Sequence, residues 1–489
     1  MKNTTRFIPG FHLQTLRRKP RSEAQKRAQL KQKIMQHSLL DLSQCFNCFI
    51  PSTIFKQPQS GSFSRRRLFS KENTFWAFFS QVLDADSGCR EVIRKIQAYV
   101  ATQEQSAPSS STSAYCQARS KLDRQSLEQI VAHTGKQLQH RGQDQGWKGR
   151  NVIVVDGTGI SMPDTPQNQA EWPQSSRQAQ GCGFPVAYVC ACFCLYSGAL
   201  LSSRTGHRKT SELALFRQQL DTFSTGDIML GDKMFCSYYD VFQLHQRGVD
   251  AVFTLGVRKP IASANAVKRL GEDDLLIQWP KPRWTNKASY SRAEWEALPD
   301  YLALRQIKVT IPQPGFRTQS YYLISTLTDP LHYSADDLAD LYYQRWDVEL
   351  FFRDIKITMG MDILRCRTPQ MVKKEMLMHW IVYNCIRLLM FEAATQCNEK
   401  PRRLSFKASM QALRQWEPEL SRSGLTTQQR QRLIDSLRAA IGDTKLIDRP
   451  GRTEPRCIKR RPKNFQRLTR PRHKMLETPH RGKYRAEAA

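Results

Sequence analysis

Two short apolar runs, each followed by an aspartate, constrain the fold of this chain more than any other feature. Residues 151–155 are rich in β-branched side chains and lead into Asp156, and residues 227–231 lead into Asp232. Such runs predict buried strands that each carry an acid to their end. Taken alone, either aspartate could simply begin a turn. Three other aspartates compete as candidates: Asp164, Asp227, which we expect to cap its strand, and Asp240, which falls on the next helical stretch.

The order of the elements around these acids favours one α/β fold. Strand-like runs follow Asp156 at 185–196 and 199–203, a helical run spans 212–220, and a helix at 238–246 and a strand at 251–256 follow Asp232. A later helix carries a third acid, Glu349. Three strands, a helix, a strand and then a helical acid is the order of the RNase H-like fold, a mixed sheet flanked by helices. In that fold the acids lie on the first strand, just after the fourth strand, and on a later helix.

The segment 342–356 is predicted to be one helix with two distinct faces. At about 100° per residue, four of its residues fall within an arc of about 60° and look in one direction: Tyr342, Arg345, Glu349 and Lys356. Asp347 and Asp354 point to the far side. An apolar stripe beside the polar face is expected to pack against a sheet: Leu341, Val348, Phe352 and Ile355. A helix face of mixed charge is more often a solvated face than a functional site.

The spacing Tyr-x2-Arg-x3-Glu-x6-Lys resembles the Y-R-E-K motif of bacterial insertion-sequence transposases that cut DNA through a hairpin intermediate. The two upstream aspartates stand where that family has its other acids, and the resemblance covers roughly residues 40–475. It implies that Asp156, Asp232 and Glu349 are the catalytic residues and hold two Mg²⁺ ions, with Mn²⁺ able to substitute. Asp156 would contact both ions.

The same resemblance implies the partners. Tyr342, Arg345 and Lys356 would bind phosphates of double-stranded DNA, both transposon ends and target, and the protein would act as a homodimer in the bacterial cytoplasm, associated with the nucleoid. His207, Arg208 and Lys209, just before the first core helix, are further candidates for phosphate contact, although a solvated turn explains them equally well.

The stretch between Asp232 and Glu349 is longer than the fold requires. Strand-like runs at 275–279, 303–311 and 320–326 fall within about 260–329, where the family carries a β-rich insert. The last strand of that insert carries an aromatic that stacks a flipped base, and this position falls on Tyr322. A core-packing role for Tyr322 is the alternative.

Composition favours a polyanionic partner. Among 489 residues, Lys and Arg number 75 against 44 Asp and Glu, a net charge of +31, which indicates nucleic acid more than membrane. No apolar run is long enough to predict a transmembrane helix. Thirteen cysteines suit a reducing compartment, and Cys190, Cys192 and Cys194 alternate as packed residues of one strand.

We divide the chain into three segments. Residues 1–145 are predicted to be a basic arm followed by an α-helical domain that binds DNA ends, with helices near 73–83, 90–100 and 126–139. Residues 146–400 form the catalytic segment with its insert, and residues 401–489 a helical segment and a basic tail. Two other functions stay open: a transposase-derived DNA-binding protein that has lost catalysis, and an RNase H-like nuclease without strand transfer.

Overall fold

A computed structural model gives the architecture of the chain. It describes residues 42–447, with gaps at 47–48, 66, 85–87, 102–106, 256–260, 262–264, 286–289, 311–319 and 423, and also residues 467–471 and 474. The predicted basic arm, residues 1–36, and most of the predicted basic tail therefore lie outside the described residues. The division into three segments stays a prediction.

Nine strands form one mixed sheet in the order β3-β2-β1-β4-β5-β9-β8-β7-β6. The strands are Val152–Ser161 (β1), Val186–Cys194 (β2), Leu200–Gly206 (β3), Ile228–Gly231 (β4), Asp250–Leu255 (β5), Ala266–Gly271 (β6), Asp274–Pro280 (β7), Tyr301–Thr310 (β8) and Ser320–Ser325 (β9). Strands β1, β4 and β5 are parallel neighbours, whereas β1, β2 and β3 form an antiparallel meander. The predicted mixed sheet is thus confirmed.

Helices surround this sheet. They are Ser43–Phe46 (α1), Lys71–Leu83 (α2), Cys89–Ala101 (α3), Ser113–Lys121 (α4), Arg124–Arg141 (α5), Pro166–Glu171 (α6), Glu212–Arg217 (α7), Tyr238–Gln246 (α8), Arg292–Glu296 (α9), Ala335–Tyr343 (α10), Asp347–Arg353 (α11), Pro369–Gln396 (α12), Phe406–Leu420 (α13) and Thr427–Gly442 (α14). The predicted N-terminal helices are confirmed as α2, α3 and α5, while α4 was not predicted. No helix among the described residues is long and apolar enough to cross a bilayer.

Strand β2 shows that both faces of the sheet are covered. Its consecutive residues Cys192 and Phe193 point to opposite faces because side chains alternate along a strand. The Cys192 thiol lies 3.7 Å from Gln219, just after α7, whereas the Phe193 ring packs at 5.3 Å from that of Phe352 on α11. Cys190, Cys192 and Cys194 are all buried, so their predicted packing role is confirmed.

Strand β1 is longer than predicted, and Asp156 lies in its middle rather than at its end. The parallel ladder with β4 stops at Val154, opposite Leu230. The antiparallel ladder with β2 continues to Ser161, opposite Val186, and it keeps the chain extended through Gly157-Thr158-Gly159. Between Val154 and Ser161, which bonds to residues 362–364, no described strand pairs with the β4 side of β1, so this part of its edge is open.

The predicted insert strands are confirmed, and they extend the core sheet instead of forming a separate one. The run 320–326 is β9, which pairs antiparallel with the free edge of β5 and aligns Tyr322 with Leu255. Strands β8, β7 and β6 follow outward from β9. The edge of β5 offers unpaired backbone groups, and pairing with β9 satisfies them.

The segment 342–356 is not one regular helix, so the prediction of a single regular helix is wrong. A 3₁₀ turn at Gln344–Trp346 separates α10 from α11, and a π-helical turn at Asp354–Thr358 follows. These turns rotate side chains away from the 100° spacing of an α-helix. Arg345 is buried, while Glu349 is exposed. The predicted apolar stripe on this segment is confirmed as buried.

Candidate active site

Asp156 and Asp232 lie side by side because of the strand register. Each stands two residues beyond the last residue pair of the parallel ladder, Val154 with Leu230. Both side chains are partly buried. Each carboxylate accepts a nearby backbone N–H: that of Gly157 reaches Asp156 Oδ1 at 2.8 Å, and that of Met234 reaches Asp232 Oδ1 at 2.7 Å. These bonds fix two acids at the open edge of β1.

The surroundings of Asp156 disfavour the ionised form of its carboxyl group. The pKa of Asp156 is raised to about 6, mainly by burial and also by the charges of Asp232 and Glu212, against the lowering effects of the Gly157 N–H and Arg345. Like charges that share a partly buried site disfavour ionisation of one another. We call Asp156, Asp232 and Glu212, with Arg345 beside them, the acid cluster.

Tyr342 anchors the helical segment to the sheet beside the acid cluster. Its hydroxyl lies 3.3 Å from the Gly231 carbonyl oxygen and 3.1 Å from Thr254 Oγ1, so the ring reaches the ends of both β4 and β5. The Tyr342 side chain is only 4% exposed. Its first role in this structure is therefore to hold the segment in place.

Arg345 is a buried cation in the acid cluster. Its residue is 9% exposed, and the guanidinium lies 5.6 Å from the Tyr342 ring and 5.2 Å from the Trp346 ring. Its Nε has no hydrogen-bond partner among the described residues. A guanidinium that is buried with unused donor capacity is suited to bind an anionic group such as a phosphate.

Lys356 also reaches β1. Its ammonium donates to Thr158 Oγ1 at 3.1 Å and pairs with Asp362 at 3.2 Å. Thr158 and Asp156 share one face of β1 because they are two residues apart. That face is therefore the one covered by α11 and the π-helical turn.

Glu349 is not brought into the acid cluster. It is exposed on α11 and makes no ion pair or side-chain hydrogen bond with any described residue. Within the same described part of the chain, no three His, Cys, Asp or Glu side chains are placed to hold one metal ion together. The structure thus groups two of the three predicted acids and leaves the third on the neighbouring helix.

Glu212 is the acid that sequence reasoning missed. It begins α7, and the hydroxyl of Ser211 caps that helix by accepting the Ala214 N–H at 3.1 Å. Burial, and then the charge of Asp232, raise the pKa of Glu212. The predicted helical run at 212–220 covered this residue, but an acid in the first turn of a helix is commonplace and gave no separate signal.

Two of the three competing aspartates, Asp227 and Asp240, are held by structural partners. Asp227 accepts the Ser224 N–H at 2.8 Å and lies 3.3 Å from the Asn151 amide, as expected for a cap. Asp240 on α8 is fully buried in an ion pair with Arg217, with a nitrogen–oxygen distance of 2.7 Å. Neither joins the acid cluster.

The remaining predicted contacts lie elsewhere. Tyr322 is partly exposed on β9, between Leu255 and Lys308 in the sheet. Arg208 donates to Ser175 Oγ at 2.6 Å, whereas Lys209 is exposed. Their predicted roles in DNA binding stay predictions.

Comparisons with known proteins converge on one class. Residues 147–385 match the model of the transposase DDE domain family. The chain is 24% identical over 405 residues to transposase InsG for insertion sequence element IS4 of Escherichia coli (strain K12), covering 81% of this chain and 87% of that protein. It is 33% identical over 91 residues to the "Probable transposase for insertion sequence element IS5377" of Geobacillus stearothermophilus, covering 19% of this chain and 24% of that protein.

Among solved structures, the chain aligns with the piggyBac transposase synaptic complex with hairpin DNA at a TM-score of 0.45 and 12% identity, covering 83% of this chain and 86% of that chain. That likeness is too distant to bear on the fold or the reaction here. The family match and the insertion-sequence relatives point to the same class of protein: residues 147–385 match the transposase DDE domain family, and the chain is similar to the transposase of insertion sequence IS4.

Proposed function

We propose that the chain binds the terminal inverted repeats of its element, cuts the DNA by phosphodiester hydrolysis and hairpin formation, and joins the freed 3′-hydroxyl ends to target DNA. The observation that carries the proposal is the placement of Asp156 beside Asp232 within the segment that matches the DDE domain. The order β3-β2-β1-β4-β5 supports an RNase H-like core for this segment.

The chemistry of the acid cluster fits divalent cations, which transposases of the DDE class use. Its donors are carboxylate oxygens, the ligand type that Mg²⁺ and Mn²⁺ prefer. Asp156, Asp232 and Glu349 would hold the ions, and Glu349 must turn inward from its exposed position on α11 to do so. When bound, two such cations activate the attacking oxygen and stabilise the leaving oxygen of an in-line displacement.

The cationic side chains supply the grip on DNA. The Arg345 Nε has no hydrogen-bond partner in the described part of the chain and acts on Asp156, and Lys356 contacts Thr158 on the same face of β1. Both would bind phosphates next to the cut and hold the scissile bond against the acids. A DNA contact by Tyr342, as predicted, requires its hydroxyl to exchange one of its present bonds to Gly231 or Thr254.

The proposed reaction has four steps at one site. A water molecule nicks one strand and leaves a 3′-hydroxyl, which attacks the opposite strand to close a hairpin. Water then opens the hairpin, and the freed 3′-hydroxyl joins target DNA. Two ends must be cut together, so we propose a homodimer on the DNA.

The test uses the DNA on either side of the gene. Matching inverted repeats just outside the reading frame would define the ends, and a labelled duplex of one end is then incubated with the full-length protein and Mg²⁺. The proposal expects a nicked strand followed by a hairpin on a denaturing gel. Hydrolysis without a hairpin would instead support a plain nuclease, and end binding without any cleavage an inert DNA-binding protein.

A further inference from the structure

A buried ion pair contacts the segment that carries Glu349 and Lys356. Asp354, the first residue of the π-helical turn, accepts a hydrogen bond at 2.9 Å from the Arg387 guanidinium on α12. Asp354 is 8% exposed and Arg387 is 3% exposed. Neither residue was among the predicted site residues. The chain therefore buries two charges next to the helical part of its candidate active site.

The Arg387 guanidinium ties three parts of the chain together. Besides contacting Asp354, it donates from Nε to the Tyr383 hydroxyl at 3.0 Å, and that hydroxyl donates to the Gly198 carbonyl oxygen at 2.7 Å. Gly198 lies in the turn between β2 and β3 with a φ of +70°, and a Cβ there would stand only 3.0 Å from Arg387 Cζ. The π-helical turn is thus joined through α12 to the antiparallel meander.

Lys356 stands on the opposite side of the same turn. Residues two apart on a helical turn point in roughly opposite directions, so Asp354 faces α12 while Lys356 faces β1. The Lys356 ammonium donates to Thr158 Oγ1 at 3.1 Å. Just beyond the turn, the Asp362 carbonyl oxygen accepts the N–H of Ser161, on the same strand, at 3.1 Å. The turn is therefore held between α12 and β1.

The π-helical turn sets where Lys356 points. The Asp354 carbonyl oxygen accepts the N–H of Met359, five residues on, at 3.0 Å. Single π-helical turns of this kind interrupt α-helical spacing and are frequent at functional sites. A shift of the turn by one residue would rotate Lys356 by about 100° and move it by about 1.5 Å along the helix axis, away from Thr158. The direction of this side chain therefore depends on what fixes the turn.

The ion pair is a poor source of stability. Burial raises the pKa of Asp354, although the charges of Arg387 and Arg353 lower it. The surroundings of Asp354 therefore oppose its ionised form even with the arginine beside it. Buried ion pairs can often be replaced by apolar side chains without loss of stability, whereas their directional bonds select one geometry. The pair is therefore better suited to fixing the geometry of the turn.

We propose that Asp354 and Arg387 are positioning residues for DNA cleavage, and that their ion pair holds the π-helical turn so that Lys356 stands over β1 beside the cut. The inference rests on the proposed function, in which Lys356 binds a phosphate next to the scissile bond. A misplacement of about 1 Å in such a contact can slow a reaction by roughly a hundredfold. Neither Asp354 nor Arg387 would touch the DNA itself.

The first test measures the placement of Lys356 in the full-length protein without DNA. Asp354→Leu combined with Arg387→Met, the apolar pair variant, should stay folded, as thermal melts establish. Its Lys356 should react several-fold faster with acetic anhydride, measured by mass spectrometry, because the turn no longer holds the ammonium against β1. Lys281, which donates to a backbone carbonyl oxygen at 2.7 Å in the insert, is the internal control and should react as in wild type. Unchanged labelling of Lys356 in the folded variant would overturn the inference.

The second test asks whether the pair acts through Lys356. Nicking of the labelled end duplex in Mg²⁺ is measured in single turnovers for Lys356→Met, for the apolar pair variant and for both changes combined. We expect Lys356→Met and the pair variant each to nick roughly tenfold or more slowly than wild type. The combination should be no slower than Lys356→Met alone, because the effects of residues that act through one contact do not add. Losses that multiply would overturn the inference in favour of a general structural role.

Asp347→Asn is the matched control for loss of an ion-paired acid from this segment. Asp347 lies on α11, pairs with Arg402 and is partly exposed. Exposed ion pairs contribute little to structure, so this variant should nick at the wild-type rate.

The outcomes separate this inference from the proposed function. Wild-type nicking by the folded pair variant, together with slow nicking by Lys356→Met, would overturn the role of the pair and leave the proposed function standing. Wild-type nicking by Lys356→Met would contradict the role of Lys356 and, with it, the inference. No nicking by the wild-type chain would contradict the proposed function, and the labelling of Lys356 would then decide alone whether the pair positions this side chain.

Discussion

At the scale of single residues, Asp156 shows how burial opposes the ionised form of a carboxylate that is needed to bind a cation. Its carboxylate needs to be ionised to bind a cation, yet burial and the neighbouring acids raise its pKa to about 6. Sites that perform chemistry are often kept in such unfavourable states, and stability is lost as a result. The free-energy cost of ionising Asp156 in the folded protein therefore depends on pH and can be measured.

We predict that Asp156→Asn stabilises the metal-free protein at pH 8 and does so less at pH 5. A folded-state pKa above the ordinary 3.8 means that ionisation opposes folding, so the penalty is absent below that value and complete above about pH 6. Asparagine carries no charge at either pH. Thermal melts at both pH values measure the difference, with Asp164→Asn, an exposed acid, as the control. An equal difference at pH 5 and pH 8 would contradict the account.

At the scale of elements, the site depends on how the α10–α11 segment attaches to the sheet. Tyr342 reaches the ends of β4 and β5 through its hydroxyl, while Phe352 packs on Phe193 of β2. One segment thus spans the strands that carry the acids. Its orientation decides where Arg345 and Glu349 stand.

Removing the Tyr342 hydroxyl should loosen this attachment. We predict that Tyr342→Phe lowers the free energy of unfolding by about 1–2 kcal/mol, because the hydroxyl's hydrogen bonds to Gly231 and Thr254 are lost and these partners stay at least partly buried. Tyr343→Phe is the matched control, since Tyr343 is 62% exposed. Urea denaturation gives both values. Equal stability of the two variants would show that the hydroxyl of Tyr342 does not hold the segment.

A second prediction at this scale concerns β9. If Tyr322 stacks a flipped base, Tyr322→Ala should still nick a transposon end but stall before the hairpin, because base stacking is worth about 1–3 kcal/mol. Tyr301→Ala, on the neighbouring β8 and 58% exposed, should proceed normally. Hairpin formation at the wild-type rate by Tyr322→Ala would sink the stacking role, and loss of folded protein would indicate core packing.

The strands were predictable from sequence because their apolar runs are local signals. The runs ending near Asp156 and Asp232 identified β1 and β4 and, with them, two of the acids. The helical segment was predictable only in part, since the 3₁₀ and π-helical turns around α11 arise from tertiary packing that periodicity does not encode. Glu212 was missed because its meeting with Gly157 joins distant parts of the chain.

At the scale of the whole molecule, net charge governs the encounter with DNA. The chain carries +31, and from residue 449 onward fourteen Lys and Arg face three Glu. Each phosphate contact releases counterions, so affinity falls with salt at a log–log slope of about −0.9 per contact on duplex DNA. Such contacts position a protein without reading bases.

Deleting residues 449–489 should therefore weaken binding to any duplex and flatten the salt slope. Preference for a transposon end over random duplex should change less, because the lost charges carry no sequence information. Titrations of both duplexes at several salt concentrations measure the slope for the full-length and truncated proteins. An unchanged slope would show that the tail does not touch DNA.

The central claim is that Asp156, Asp232 and Glu349 are the catalytic residues. DNA cleavage by variants of these three acids tests it most directly. Asp156→Asn, Asp232→Asn and Glu349→Gln are compared with wild type for nicking of an end-containing duplex in Mg²⁺, with DNA binding measured in parallel and Asp164→Asn as the control. The account predicts that each of the three variants binds DNA but does not nick it, whereas Asp164→Asn does both. Nicking at the wild-type rate by any of the three variants would contradict it and remove that residue from the site.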